Sequence, residues 1–252
     1  MPYIVEVCCY TIEDVQRAHR AGAGRVELCA DRAAGGTTPS YGLIERVVET
    51  VPVDVAVMIR PRGGDAIYSG DELAIMQRDI EIAGKLGAEA VVFGILDETA
   101  FLDIAPMAEL IAVAKKYDME VTCHRAFDRA REPHRFLEEL IKLGVDRLLT
   151  SGQKPTGVEG IPLLGELVEI AGDKLSIMPG GGVRGSNFHP LLDLDIKEVH
   201  TGSVETIKST IEPYQTDVFM GRPDHDDNER LVVNEADVAL IVKALQEKAK
   251  RA

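Results

Sequence analysis

Two short stretches decide the fold: Ile4-Val5-Glu6-Val7-Cys8 and, one helix later, Arg25-Val26-Glu27-Leu28-Cys29. They are near copies, each setting a glutamate and a cysteine two residues apart among aliphatic side chains. Successive side chains of a strand point to opposite faces. Val5, Val7 and Cys9 therefore share one face with Val26 and Leu28, which suits packing under helices. Ile4, Glu6 and Cys8, with Glu27 and Cys29, share the other face and point to an enclosed interior. The linking segment reads as a helix, opened in capping-box fashion by Thr11-Ile12-Glu13-Asp14 and closed by Ala21-Gly22-Ala23-Gly24.

The unit of strand, turn and amphipathic helix then recurs along the chain. After strands at 4–8 and 25–29, further strands are expected at 53–59, 90–94, 119–123, 146–150, 175–178 and 197–200. Helices are expected near 40–50, 71–86, 103–117, 133–143, 158–171 and 185–193. Leu86-Gly87-Ala88 and Leu143-Gly144-Val145 set a glycine just past a helix, where a left-handed cap costs least. Strict alternation of strand and helix means a parallel sheet buried on both faces. Eight units predict a closed (β/α)₈ TIM barrel, for which ~250 residues is the usual length; an open doubly wound sheet rarely needs eight regular units. The whole chain, 1–252, reads as a single domain, with an irregular stretch at 206–233 and a C-terminal helix at 234–250. Asp224-His225-Asp226-Asp227 in that stretch reads as a solvated loop.

Composition narrows the function. The 252 residues carry a formal charge of −14, with 45% hydrophobic and 28% charged residues. So acidic a chain lacks the basic face that nucleic acid needs and is repelled by anionic membranes. No apolar run approaches the ~20 residues of a membrane span. The segment Met1-Pro2-Tyr3-Ile4-Val5-Glu6-Val7 has neither the basic region nor the cleavage site of an export signal, so a cytoplasmic location is expected. Cys8, Cys9, Cys29 and Cys123 are then reduced, and they form no CxxC pair of the kind that binds zinc.

Barrel chemistry belongs at the C-terminal ends of the strands. Alternation turns Met58 and Arg60 inward after strand three, Thr122 and His124 after strand five, and Glu198 and His200 on strand eight. Glu6, Glu27 and Glu198 would form a buried acidic layer facing Arg60 and the two histidines. That layer reads either as a structural ionic plug or as the groups that tune a site above it. The loops at the mouth hold Arg60, Arg62 and Asp65; Arg125 and Asp128; Ser151; Gly180, Gly181 and Gly182; and Gly202 with Ser203. Arginines suit a carboxylate or phosphate, and glycine-rich turns after strands seven and eight are where many barrels bind phosphate. Candidate catalytic groups are His124 and His200, which titrate near neutrality, with Arg60, Asp65 and Glu27 beside them. Candidate ligand-binding groups are Arg60, Arg62, Arg125, Ser151, Gly180, Gly181, Gly182, Gly202 and Ser203. Cys8 and Cys29, at one level on adjacent strands and ~5 Å apart by strand spacing, could instead hold Cu(I) as soft thiolates. No organic cofactor motif is present.

Blocks spread over residues 4–203 resemble the CutC copper-homeostasis family. They include Glu27-Leu28-Cys29, Gly35-Gly36-Thr37-Thr38-Pro39-Ser40-Tyr41-Gly42 and Met58-Ile59-Arg60-Pro61-Arg62-Gly63-Gly64-Asp65. They continue in His124-Arg125-Ala126-Phe127-Asp128, Leu149-Thr150-Ser151-Gly152-Gln153 and Ile177-Met178-Pro179-Gly180-Gly181-Gly182-Val183. The resemblance implies a barrel, a cytoplasmic protein that forms a homodimer or homotetramer, and a role in copper homeostasis with copper held at Cys8 and Cys29. Cys123 departs from the family's usual Phe, and Thr201-Gly202-Ser203 from a more alanine-rich segment. The leading expectation is a Cu(I)-binding protein. The alternative is a metal-independent lyase or isomerase acting on a small phosphorylated or carboxylated compound at the same mouth.

Overall fold

The computed structural model describes residues 3–211 and 226–250. Eight parallel strands form one barrel-shaped sheet: β1 (Ile4–Cys9), β2 (Arg25–Leu28), β3 (Asp54–Met58), β4 (Ala90–Phe93), β5 (Glu120–Cys123), β6 (Arg147–Thr150), β7 (Ser176–Pro179) and β8 (Glu198–Thr201). Hydrogen-bonded order runs from β7 back through β1 to β8. β7 and β8 close the barrel by packing: a Cβ on Gly180, just past β7, would lie 2.4 Å from Leu149 Cδ1 and 3.2 Å from His200 Cβ.

The helices outside are α1 (Ile12–Arg20), α2 (Tyr41–Thr50), α3 (Gly70–Leu86), α4 (Ile104–Lys115), α5 (Pro133–Leu143) and α6 (Ile161–Ala171), with α7 (Glu235–Ala249) at the C-terminal end. Local chemistry sets their ends. Thr11 caps α1 by accepting from the Asp14 N–H, and Ser69 and Glu72 form a reciprocal capping box at α3. Gly87 and Gly144 end α3 and α5 in the left-handed conformation, at φ 87° and 73°.

Two segments differ from the sequence expectation. No α-helix forms at 185–193; a single 3₁₀ turn, His189–Asp193, stands there, with Pro190 lacking the N–H a longer helix requires. The stretch expected to be irregular contains an antiparallel pair, β9 (Val204–Lys208) and β10 (Glu229–Val233). It packs on α1, where Asp14 accepts the Val233 N–H. Asp224 and His225 of the acidic loop lie outside the described residues.

The two faces of the strands separate cleanly. Val5, Val7, Cys9, Val26 and Leu28 join the outer core beneath the helices. Cys8, Cys29, Ala56, Met58, Ala90 and Val92 cluster inside the barrel.

Candidate functional site

The barrel interior is built in two tiers, and register explains both. Glu6 lies opposite Arg25 of β2 on one side and His200 of β8 on the other. Hence the Arg25 guanidinium reaches Glu6 at 2.5 Å and Glu198 at 2.6 Å, while His200 Nδ1 lies 2.8 Å from Glu6. Arg147 of β6 extends the network to Glu198, to Glu120 at 2.6 Å and to the Thr122 hydroxyl at 3.1 Å. This corrects the expected acidic layer in two ways. Its counter-charges are Arg25 and Arg147, not Arg60, and Glu27 is not part of it. Glu27 pairs in register with Cys8, one step nearer the mouth. Arg25 shares the inward phase of Glu27, so alternation would have found it; Arg147 opens its strand, where an arginine reads as a solvated end.

The upper tier holds the thiols. Cys8 and Cys29 are not level, since Cys8 faces Glu27 across the ladder. Their side chains nevertheless converge, with the two Sγ atoms 3.9 Å apart and Cys29 Sγ 3.6 Å from the Glu27 carboxylate. One ligand atom from each of Cys8, Glu27 and Cys29 falls within a sphere of mutual separation of 4.8 Å, and the same holds for Glu6, Glu27 and His200. All five residues are buried. Gly36 covers the pair from the loop after β2, where a Cβ would stand 3.2 Å from Cys29 Sγ.

Charge is unevenly shared. Hydrogen bonding from Cys29 outweighs burial and, with His200 and Tyr10 also facing the sulfur, holds the Cys8 thiol well below its usual range. Burial, then the contact with Cys8, pushes Cys29 well up. Burial and the neighbouring Cys8 likewise raise Glu27. Burial would discharge His200, but Glu27, Cys8 and Glu6 reverse that and hold it charged well above its ordinary value. His124 is the opposite case: burial, then the positive charge of Arg60, lowers it to about 4.

Above the thiols opens a cavity of about 500 Å³ that Cys8, Glu27, His124 and His200 all line. Of the other residues singled out in sequence, Arg60, Asp65, Arg125, Gly181, Gly182 and Gly202 line it too. Arg60 spends its guanidinium on the carbonyls of Ala34, Gly36 and Gly64, clamping the loop over Cys29. Arg62 turns away from the cavity to Glu72 at 2.6 Å and Asp65 at 3.0 Å. Ser151 is buried, giving its hydroxyl to Asp128 and accepting from Arg125. Gly180 packs in the seam between β7 and β8, and Ser203 is buried with its N–H on Thr201 Oγ1. The backbone at Gly181 favours glycine, because its φ is 80° and a Cβ would sit 3.0 Å from the Arg125 guanidinium. Sequence reading missed Tyr10, Arg32, Arg129 and Arg184 at the rim. Tyr10 continues the inward phase of Cys8; Arg32 and Arg129 sit in 3₁₀ turns and Arg184 in a loop, where alternation gives no direction. Cys123 is buried in the outer core and its thiol is pushed up by burial, so it adds no donor to the mouth.

The fold and site define a (β/α)₈ barrel whose mouth is lined by Cys8, one of a pair of neighbouring thiols, and by His200. Residues 3–205 match the CutC family, and the chain belongs to it. A CutC family protein of Parabacteroides distasonis is 44% identical over 223 residues, 88% of this chain and 91% of that one. The copper homeostasis protein cutC homolog of Mus musculus is 42% identical over 191 residues, 76% of this chain and 70% of that one. Among solved structures, the CutC protein of Streptococcus agalactiae superposes with a TM-score of 0.74 at 34% identity, covering 79% of this chain and 97% of that one. Thiamine phosphate pyrophosphorylase of Pyrococcus furiosus, at 14% identity and a TM-score of 0.59, shares the fold alone, covering 98% of this chain and 96% of that one. Among the described residues no helix is long and apolar enough to cross a membrane.

Proposed function

We propose that the protein serves copper homeostasis by binding Cu(I) through Cys8 and Cys29, in the cytoplasm and as a homodimer or homotetramer. The observation that carries this reading is the donor set: two buried sulfurs 3.9 Å apart, one of them, that of Cys8, on a residue lining the cavity, with the Glu27 carboxylate beside them. Soft thiolates select Cu(I) over harder ions, and a ligand thiol must shed its proton to bind. The charged His200 and the hydrogen atoms aimed at Cys8 ease the loss of the first proton. Glu27, whose carboxyl is raised by burial and by Cys8, would stand next to the ion. Titrating reduced protein with Cu(I) against a competing chelator tests the reading. The wild type is expected to take up one equivalent, and the Cys8→Ser/Cys29→Ser variant none. Unchanged uptake by that variant puts copper elsewhere.

A second reading is supported by the cavity itself. A volume of about 500 Å³ lies within the range of small-molecule sites, and Arg32, Arg125, Arg129 and Arg184 line it on a chain of net charge −14. Asp65, Asp97 and Glu98 line it as well, so the arginines form a local basic cluster among carboxylates. That cluster suits a small carboxylated or phosphorylated compound, and a metal-independent lyase or isomerase acting on it. In this reading Glu27 and His200 stand beside the reacting end, and the arginines hold the anionic end.

A further inference from the structure

His124 has no part in the copper site, and its surroundings are unlike those of His200. Its Nδ1 accepts a hydrogen bond from the Ala126 backbone N–H at 3.2 Å. The network therefore assigns the ring proton to Nε2. Gly94 presses on the Nδ1–Cε1 edge so closely that a Cβ there would lie 2.9 Å from Nδ1. With its pKa lowered to about 4, the ring is neutral at neutral pH. What remains is a fixed Nε2–H, buried and without a partner among the described residues, on a ring that lines the cavity. Buried donors are rarely left in that state, and one at the wall of a cavity is completed by whatever enters.

Two further polar atoms of residues lining the same cavity lack a hydrogen bond among the described residues. Arg32 Nη2 is one, in ion-pair range of the Asp14 carboxylate at 3.8 Å but beyond hydrogen-bond distance, with the guanidinium 4.0 Å from the Tyr10 ring centroid. Glu27 Oε1 is the other. The unmet needs of the cavity are thus a neutral N–H, a cationic N–H and a carboxyl oxygen. A bare inorganic anion answers the second but gives the first no reason to be neutral and fixed. A fixed neutral N–H suits a carbonyl oxygen, and holds it more firmly as negative charge develops there. A guanidinium suits a carboxylate.

We propose that the cavity binds a small oxo acid, with its carbonyl oxygen accepting from His124 Nε2–H and its carboxylate turned to Arg32 and the neighbouring arginines. The proposal rests on the small-molecule reading of the cavity given above and is independent of copper. His124 acts as a hydrogen-bond donor and not as a proton carrier.

Calorimetry of wild type and His124→Phe, with pyruvate and separately with inorganic phosphate, tests it. Losing one hydrogen bond in a buried site is expected to weaken pyruvate binding about tenfold, and to leave phosphate binding within about twofold. If pyruvate binds both proteins equally, or if phosphate binds and pyruvate does not, the oxo-acid assignment is overturned while the small-molecule reading stands. If neither probe binds the wild type, both fall. Should His124→Phe not fold, nitrogen-15 NMR of histidine-labelled wild type decides. Saturating pyruvate should shift the His124 Nε2–H resonance more than any signal of His200, and an unmoved resonance overturns the proposal.

Discussion

The lower and upper tiers of the barrel interior carry comparable loads of buried polar side chains and treat them in opposite ways. Below, Glu6, Glu198, Arg25 and Arg147 are joined by charge-assisted contacts. Above, among the described residues, Glu27 Oε1 and His124 Nε2 are buried without hydrogen-bond partners, beside a pair of sulfurs 3.9 Å apart. Both tiers come from the same strands, two residues apart. A buried charge is tolerable when its neighbours neutralise it, and an unsatisfied group is tolerable when something else arrives to meet it. The contrast separates a closed plug, which supports the barrel, from an open set of donors and acceptors, which implies a ligand.

The largest effect should come from opening the plug. Arg25→Met leaves Glu6 and Glu198 facing each other without their shared cation. Breaking a buried ion pair from one side costs about 3–5 kcal/mol, and urea unfolding should show a loss of that size. A loss below about 1 kcal/mol, typical of exposed pairs, would mean that water reaches the lower tier and that the two tiers are not distinct.

The second effect is on acid stability. Burial raises the Glu6 carboxyl, but Arg25 and His200 outweigh it and bring it down to about 2 from an ordinary 4.5. The folded state therefore releases this proton more readily than the unfolded chain. Its stabilisation is complete above pH 4.5 and fades as pH falls through 2, amounting to roughly 3 kcal/mol across that window. Glu6→Gln cannot titrate. It should be less stable at neutral pH, and its stability should vary less between pH 4.5 and 2. Parallel pH profiles for the two proteins would show that the plug does not depend on the charge of Glu6.

Much of this contrast was legible in the sequence, and what was not has specific causes. The period-two alternation around Glu6-Val7-Cys8 and Glu27-Leu28-Cys29 placed both glutamates and both cysteines inside, because the alternate positions were aliphatic enough to identify the helix-facing side. The stagger between neighbouring strands was not legible. Residues that look equivalent in two copied strands need not face each other, and here Glu6 meets Arg25 while Glu27 meets Cys8. That single offset turned an expected acidic layer into a neutralised plug beneath an unneutralised thiol tier. The directions of Arg60 and Arg62 were likewise hidden, since both lie beyond the strand end and are fixed by loop carbonyls and by Glu72. The missing helix at 185–193 had visible signs, the turn residues Gly185-Ser186-Asn187 and then Pro190, with only Phe188, Leu191 and Leu192 apolar.

The smallest effect, and the most direct check on the contrast, lies in the two histidines. Sequence offers them as equivalents, each at the end of an inward-facing strand. Their neighbours set them apart: His200 lies between Glu6 at 2.8 Å and Glu27 at 3.9 Å, whereas His124 meets a backbone N–H and the charge of Arg60. A carboxylate on either side favours the imidazolium, and a donor on Nδ1 excludes it. Nitrogen-15 NMR should find His124 neutral, protonated on Nε2, from pH 8 down to about 5, and titrating near 4. It should find His200 still doubly protonated where an ordinary imidazole has already lost its proton. Because the His124 pKa is depressed in the folded state, its contribution to stability is present above the unfolded value near 6.5 and is lost as pH falls towards 4. His124→Gln, which has no group to titrate there, should therefore lose less stability than wild type between pH 6.5 and 4. Two histidines titrating together near 6.5 would break the contrast, because neither tier would then be imposing its charge on the ring it contains.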